Sequence, residues 1–167
     1  MHTDDPFIRD HFKILIADDD EPTRMLLNAA VTQWGYQPIE AKNGEEALKI
    51  LQQPDPPSLL ILDWLMPGLD GLSLCKQIRQ ELDYYPYILF LTRVSGTQNI
   101  IKGLEAGADE FLLKPFELAE LRTRLFAGER IIKYLVVISE QNKQLQFFAS
   151  YADILESYIA TMLREKI

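Results

Sequence analysis

The chain has 167 residues, 47% of them hydrophobic and 25% charged, which fits one globular domain of ordinary size plus an appendage and excludes a low-complexity chain. The net charge of −8 is uneven: residues 1–116 hold 18 Asp+Glu against 10 Lys+Arg, and residues 117–167 hold seven of each, so no basic nucleic-acid face is visible and direct binding to a phosphate backbone is not expected. A single cysteine, Cys75, excludes an internal disulfide and fits a reducing compartment; neither a basic-then-apolar leader nor an apolar run of membrane-spanning length is present, so a soluble, cytoplasmic protein without a membrane partner is expected.

Residues 1–10 are polar and read as a loose tail. Phe12 to Ala17 is a short apolar strand that runs into four acids, Asp18-Asp19-Asp20-Glu21. Pro22 opens a helix, in which Met25, Leu26, Ala29, Ala30 and Trp34 recur at helical spacing and Gly35 is a natural stop. Tyr36 to Glu40 is a weak strand that contains Pro38, which confines it to a sheet edge. Asn43-Gly44 enters a helix with Ala47, Leu48 and Leu51 as its apolar stripe, and Pro54, Pro56 and Pro57 follow its end. Leu59-Leu60-Ile61-Leu62 is a buried strand, with Asp63 at its exit and a Met66-Pro67-Gly68 turn beyond. Gly71 to Leu82 is a helix with Leu72, Leu74, Cys75 and Ile78 apolar, and Pro86 to Leu91 is a strand that ends at Thr92. Ile100, Ile101, Leu104 and Ala108 mark another helix, closed by Gly107, and Glu110 to Leu113 is a fifth strand that ends at Lys114-Pro115. Five strands that alternate with helices predict an α/β fold with a parallel, doubly wound sheet.

From Glu117 onward the only glycine is Gly128 and there is no proline, which predicts one long helix. Ile131, Ile138, Leu145, Ala152 and Ile159 repeat every seven residues, as do Tyr134, Phe148, Leu155 and Met162, with Gln141 the one interruption of the second series. That alternating three–four spacing predicts a coiled coil, the competing reading being a helix packed back on its own domain.

Ligands of open parallel sheets bind at the carboxyl ends of the strands. Here those ends carry Asp18 and Asp19, Asp63, Thr92 and Lys114. Three carboxylates that close would raise one another's pKa, and a hard divalent cation with oxygen ligands, Mg²⁺ or Mn²⁺, relieves this. Candidate ligands are Asp19, Asp63, the backbone carbonyl of Leu65, and waters that Asp18 helps to hold. Lys114 supplies a fixed positive charge and Thr92 a hydroxyl donor, so the group that gains negative charge would be Asp63, as a nucleophile that receives a phosphoryl group.

The runs Ile14-Leu15-Ile16-Ala17-Asp18-Asp19-Asp20, Leu62-Asp63-Trp64-Leu65-Met66-Pro67-Gly68-Leu69-Asp70-Gly71, Leu91-Thr92 and Glu105 to Phe116 resemble the receiver domain of two-component response regulators, over about residues 11–128. The resemblance implies a CheY-like, flavodoxin-like sheet of order 2-1-3-4-5 with the Pro38 strand outermost. It implies phosphorylation of Asp63 by a sensor histidine kinase or phosphotransfer protein, and a cis peptide before Pro115. It also implies a switch in which Thr92 moves toward the phosphoryl oxygen and Phe111 turns into the vacated space. Arg93 stands where receivers often have a small residue, and either partly screens the site, contacts the phosphoryl group, or faces solvent. Leu65 and Val94 are apolar where they would flank the path of a hydrolytic water, so slow self-dephosphorylation is expected.

The remaining 39 residues after Gly128 are too few for a winged helix or a cyclase, and they contain no histidine that could accept a phosphoryl group. The only histidines, His2 and His11, precede or abut the first strand. Ala127 to Ile132, followed by a heptad helix, is similar to receivers joined to cyclase or phosphatase outputs. The expected organisation is a tail (1–10), a receiver (11–128) and a homodimerising helix (129–167) that carries the signal out, as a complete regulator or as part of a longer one. Two other functions compete. A haloacid-dehalogenase-like phosphatase needs a second aspartate where Leu65 stands, and an adaptor that binds partners without phosphorylation would have no need of the intact acidic set.

Overall fold

The computed structural model describes residues 12–165; the tail over 1–10 and both histidines lie outside the described residues. The strands are β1 (Lys13–Ala17), β2 (Gln37–Ala41), β3 (Leu59–Leu62), β4 (Tyr87–Thr92) and β5 (Glu110–Leu113). All pair in parallel, in the order β2-β1-β3-β4-β5. The helices are α1 (Glu21–Gln33), α2 (Gly44–Leu51), α3 (Gly71–Glu81), α4 (Thr97–Glu105) and α5 (Leu118–Glu165). Pro38 lies opposite Ile14 on the outermost strand, where its missing N–H costs no ladder bond between two neighbours.

Apart from Lys13 at the start of β1 and Thr92 at the end of β4, the central strands are apolar because both faces of the sheet are covered. Successive side chains point to opposite faces. Ile14 and Ile16, with Ile61, Leu89 and Leu91, therefore pack beside Leu27 and Val31 of α1 and Leu121 and Leu125 of α5. Leu15 and Ala17, with Leu60, Leu62, Ile88 and Phe90, pack beside Ala47 and Leu51 of α2 and Leu74, Cys75 and Ile78 of α3. Asp20, Asn43 and Asp70 cap α1, α2 and α3, each accepting a backbone N–H of the first turn.

Two helices turn a different face inward from the one their apolar spacing predicts. In α1, Met25 and Leu26 are exposed, and the buried side is Arg24, Leu27, Ala30 and Val31. A buried arginine holds the first inward position, and counting apolar residues alone therefore misplaces the stripe. In α4, Ile101 and Leu104 are exposed and the buried residue is Gly103. A Cβ there would lie 3.1 Å from the Phe111 ring, so the glycine gives the ring its room.

The chain divides into two compact units between Ile132 and Lys133. In the second, every described side chain from Tyr134 to Arg164 is exposed along a continuous helix. No helix among the described residues is long and apolar enough to cross a membrane.

Candidate functional site at the carboxyl ends of the strands

The site is built by the last rungs of the parallel ladder. The Asp63 N–H donates to the Ala17 carbonyl at 2.8 Å, the Asp18 N–H to Ala41 at 3.2 Å, and the Lys114 N–H to Thr92 at 2.9 Å. Each of these donors is the first residue past its strand, so Asp18, Asp63 and Lys114 emerge at one end of the sheet, beside Thr92, the last residue of β4. One carboxylate oxygen from each of Asp18, Asp19 and Asp63 lies within 4.8 Å of the other two.

Asp18 and Asp63 are buried, and a buried carboxylate needs a partner. The Lys114 ammonium serves both, at 2.6 Å from Asp18 Oδ2 and 3.3 Å from Asp63 Oδ2. Burial pushes the Asp18 carboxyl above its usual range; the hydrogen bonds from Lys114 and from the Asp20 N–H oppose that rise, and the charge of Asp63 adds least to it. Burial, rather than the mutual repulsion expected from sequence, is thus the main perturbation of Asp18. Asp19 is exposed and keeps the cluster open to solvent.

Beneath the acids lies Arg24, which sequence reasoning missed. Its guanidinium donates to the Asp18 carbonyl at 2.8 Å and pairs with Glu40 at 3.4 Å, and Glu40 in turn accepts from Asn28 at 2.9 Å. A fixed cation therefore holds the backbone of the acidic loop to α1 and to the edge strand. The only sequence signal is its position, six residues after Asp18 on the helix that Asp20 caps.

Contacts too close for any side chain fix the loop after Asp63. A Cβ on Gly71 would lie 2.2 Å from the Asp63 carbonyl oxygen, and the Gly71 N–H donates to the Trp64 carbonyl at 2.8 Å. A Cβ on Gly44 would lie 2.2 Å from the Leu69 carbonyl oxygen, while Glu45 accepts the Leu69 N–H at 2.9 Å. The start of α2 and the start of α3 thus clamp the loop from two sides. Gly68 has a φ of 75°, a conformation side chains rarely adopt.

Thr92 is fully buried and its hydroxyl oxygen accepts the Val94 N–H at 3.2 Å. Phe111 lies opposite Phe90 in the ladder, and Thr92 lies opposite Leu113. Strand alternation puts Phe90 and Thr92 on the same face, so Phe111 and Thr92 are diagonal neighbours. Phe111, half-buried, packs 5.8 Å from Phe90 and 6.2 Å from Trp64 between ring centroids. Trp64, directly after Asp63, thereby joins the site to the Phe111 surface. The Lys114–Pro115 peptide is cis. Arg93 and Leu65 are exposed and Val94 is half-buried. The Arg93 charge is one of the lesser influences that hold the exposed Asp20 carboxyl below its usual range, after the hydrogen bonds from Thr23.

The donor set is all oxygen and carries more negative charge than Lys114 can balance, so the cluster could hold a hard divalent ion. A separate groove of about 680 Å³ between α1 and α5, lined by Leu26, Ala29, Trp34, Arg122 and Phe126 among others, shares no residue with it.

The sequence pattern of the response regulator receiver domain matches residues 14–126, and the chain belongs to that family. It is 43% identical over 113 residues to the probable transcriptional regulator ycf27 of Porphyra purpurea, covering 68% of this chain and 45% of that protein. Over 115 residues it is 42% identical to the alkaline phosphatase synthesis transcriptional regulatory protein PhoP of Bacillus subtilis, covering 69% of this chain and 47% of that protein. The chain thus spans less than half the length of these relatives. Among solved structures, the receiver domain of the Francisella response regulator 1452 matches with a TM-score of 0.68 and 32% identity, over 72% of this chain and 98% of that one.

Proposed function

We propose that the protein is a phosphoacceptor switch of a two-component system, with Asp63 as the residue that accepts the phosphoryl group. The supporting observation is the Lys114 ammonium shared between the Asp18 and Asp63 carboxylates at the mouth of the sheet. A phosphohistidine on a sensor kinase or phosphotransfer protein is the donor: the P–N bond to imidazole breaks, a P–O bond to the Asp63 carboxylate forms, and the imidazole leaves. Asp18, Asp19, Asp63 and the Leu65 carbonyl would hold Mg²⁺ or Mn²⁺, which when bound supplies charge neutralisation for the phosphoryl oxygens. Lys114 holds the Asp63 carboxylate in place and then faces the phosphoryl group. The Thr92 hydroxyl becomes a donor to a phosphoryl oxygen once it turns from the Val94 N–H. Phe111 follows into the space that Thr92 leaves, a shift between two packings of the same surface. Chemistry of this kind is positioning and electrostatics, and the chain acts as a signalling protein rather than an enzyme with its own substrate.

Output passes through the C-terminal helix, whose seam from Ile131 and Tyr134 through Ile138, Leu145, Phe148, Leu155, Ile159 and Met162 pairs with its twin in a homodimer. The matched relatives are named as transcriptional regulators, and the segment shared with them is the one that carries the acidic site. We place any nucleic-acid contact outside that segment, since its net charge is acidic.

Acetyl phosphate with Mg²⁺ tests the reading by intact mass: wild type gains one phosphoryl group and Asp63→Asn gains none. A wild type that stays unmodified under saturating reagent, with BeF₃⁻ also without effect on its spectrum, makes it a phosphorylation-independent adaptor. Leu65 and Val94 are both apolar where they would flank the path of a hydrolytic water, so the phosphoryl group should persist well beyond seconds.

A further inference from the structure

Over Phe147 to Tyr158 the C-terminal helix carries a second apolar seam. With Ile138 at heptad position a and Phe148 at d, Phe147 and Ile154 fall at c, and Tyr151 and Tyr158 at g. These four are spaced four, three and four residues apart, which is the spacing of a coiled-coil seam in its own right. Each is exposed, between 53% and 67%. Between Phe147 and Tyr158 the charges, Asp153 and Glu156, stand at b and e, on the opposite side, whereas Lys133 and Glu140 at c and Glu165 at g bound the seam before and after it. The apolar side thus takes four of seven positions. A strict two-stranded coiled coil uses two, and a bundle helix uses three or more.

A dimer through a and d leaves the second seam in water. Aromatic side chains bury about 150–250 Å² each, so that remainder is on the order of 400 Å², a patch as large as those that mark interaction sites. We propose that the occupant is further copies of this chain, and that residues 133–165 assemble four protomers into a parallel four-helix bundle. This rests on the dimer seam proposed above and extends it.

Two features select copies of the chain over a foreign helix. First, the second seam is the first displaced by one residue, about 103° around a helix that repeats every seven residues per two turns. Each helix thus has two unlike faces at nearly a right angle, a heterologous pair that closes on itself in a ring. A square has corners of 90°, and its centre is filled by the d and g side chains, among them Phe148, Tyr151, Leu155 and Tyr158. Second, the interruptions of the two seams coincide. Gln141 stands at d and Gln144 at g, one turn apart on the shared edge, with Glu140 at c in the same turn. Copies aligned in parallel register bring these amides together in one layer, where they can bond to each other. A shifted or antiparallel arrangement buries them against apolar residues.

Light scattering coupled to size exclusion, on the full chain, decides it. A protomer is 19.3 kDa, and the expected mass is that of four protomers. Each interface of the ring sets the a/d face of one helix against the c/g face of the next, so Ile154→Glu, and independently Phe147→Lys, breaks all of them and leaves the a/d faces to pair in twos, which should halve the mass; Leu145→Asp with Leu155→Asp should give monomers. A wild-type dimer unchanged by Ile154→Glu overturns the bundle and leaves the dimer reading intact. A wild-type monomer overturns both. Unchanged circular dichroism of the variants confirms that mass, and not folding, is what moved.

Discussion

Replacing Asp63 by asparagine should make the receiver unit more stable in the absence of divalent ions, by about 1–3 kcal/mol. At an effective dielectric constant of about 20, the Lys114–Asp63 attraction across 3.3 Å is roughly 5 kcal/mol. Repulsion from Asp18, at 4.8 Å or less, is at least roughly 3.5 kcal/mol. Asp19 adds a smaller repulsion because it is exposed and screened. Attraction and repulsion therefore nearly cancel. What remains is the cost of keeping a charged carboxylate at 8% exposure, about several kcal/mol per buried ion, most of which a neutral amide avoids. Lys114 keeps Asp18 as a partner at 2.6 Å, so no cation is stranded. Urea unfolding in EDTA measures the difference: with a slope of about 1–3 kcal/mol per molar, the midpoint of Asp63→Asn should rise by roughly 1 M. Added Mg²⁺ should then stabilise wild type, by about 2.7 kcal/mol at a hundredfold excess over its dissociation constant, and the variant far less. A variant less stable than wild type in EDTA, or equal responses of both proteins to Mg²⁺, would refute the reasoning.

Three further outcomes follow from particular contacts. Gly71→Ala places a Cβ 2.2 Å from the Asp63 carbonyl oxygen, so acetyl-phosphate labelling of Asp63 should slow at least tenfold while the far-ultraviolet spectrum is kept; normal labelling rates would show that the clamp is irrelevant to the site. Gly128→Ala should cost about 1–2 kcal/mol despite better helix propensity, because its Cβ would meet the Tyr87 ring at 2.5 Å; a stabilised variant in urea unfolding would contradict that packing. Cys75 is buried and burial pushes its thiol up to about 11, so Ellman's reagent at pH 8 should react only at the rate of unfolding, and prompt stoichiometric labelling would count against the fold.

The five strands were legible because buried parallel strands are short apolar runs between turn formers, and Leu59–Leu62 and Tyr87–Thr92 fit that rule on both faces. The candidate site was legible for the same reason. A polar residue directly after such a run must leave the core at the strand's carboxyl end, as Asp18, Asp63 and Lys114 do. Arg24 was not legible, because a buried arginine is recognisable only through partners, and its partners are a carbonyl six residues back and a glutamate on β2. The inward side of α4 was hidden likewise: Gly103 is inward because of the Phe111 ring, and glycine contributes nothing to an apolar count. Trp64 illustrates a third kind of gap. Its aromatic character was plain, but only the fold brings Phe90 and Phe111 to within about 6 Å of it.

The long helix shows how a change of stripe phase can mark the end of a domain. Leu121, Leu125, Gly128 and Ile132 are its buried residues in the first unit, spaced four, three and four apart. Continued at that spacing the stripe reads Leu135, Ser139, Asn142, Gln146, Ala149 and Asp153, in which Ala149 is the one apolar residue after the first. A helix that packed back on its own sheet would have kept that stripe apolar. Instead apolar residues gather at other positions: Ile138, Leu145 and Phe148 in one seam, Tyr151 and Ile154 in the other. One unbroken helix thus carries two incompatible patterns, and the switch between them falls at Ile132, where the first unit ends. The second pattern, with its alternating three–four spacing, is the one on which the proposed pairing of helices from separate copies rests.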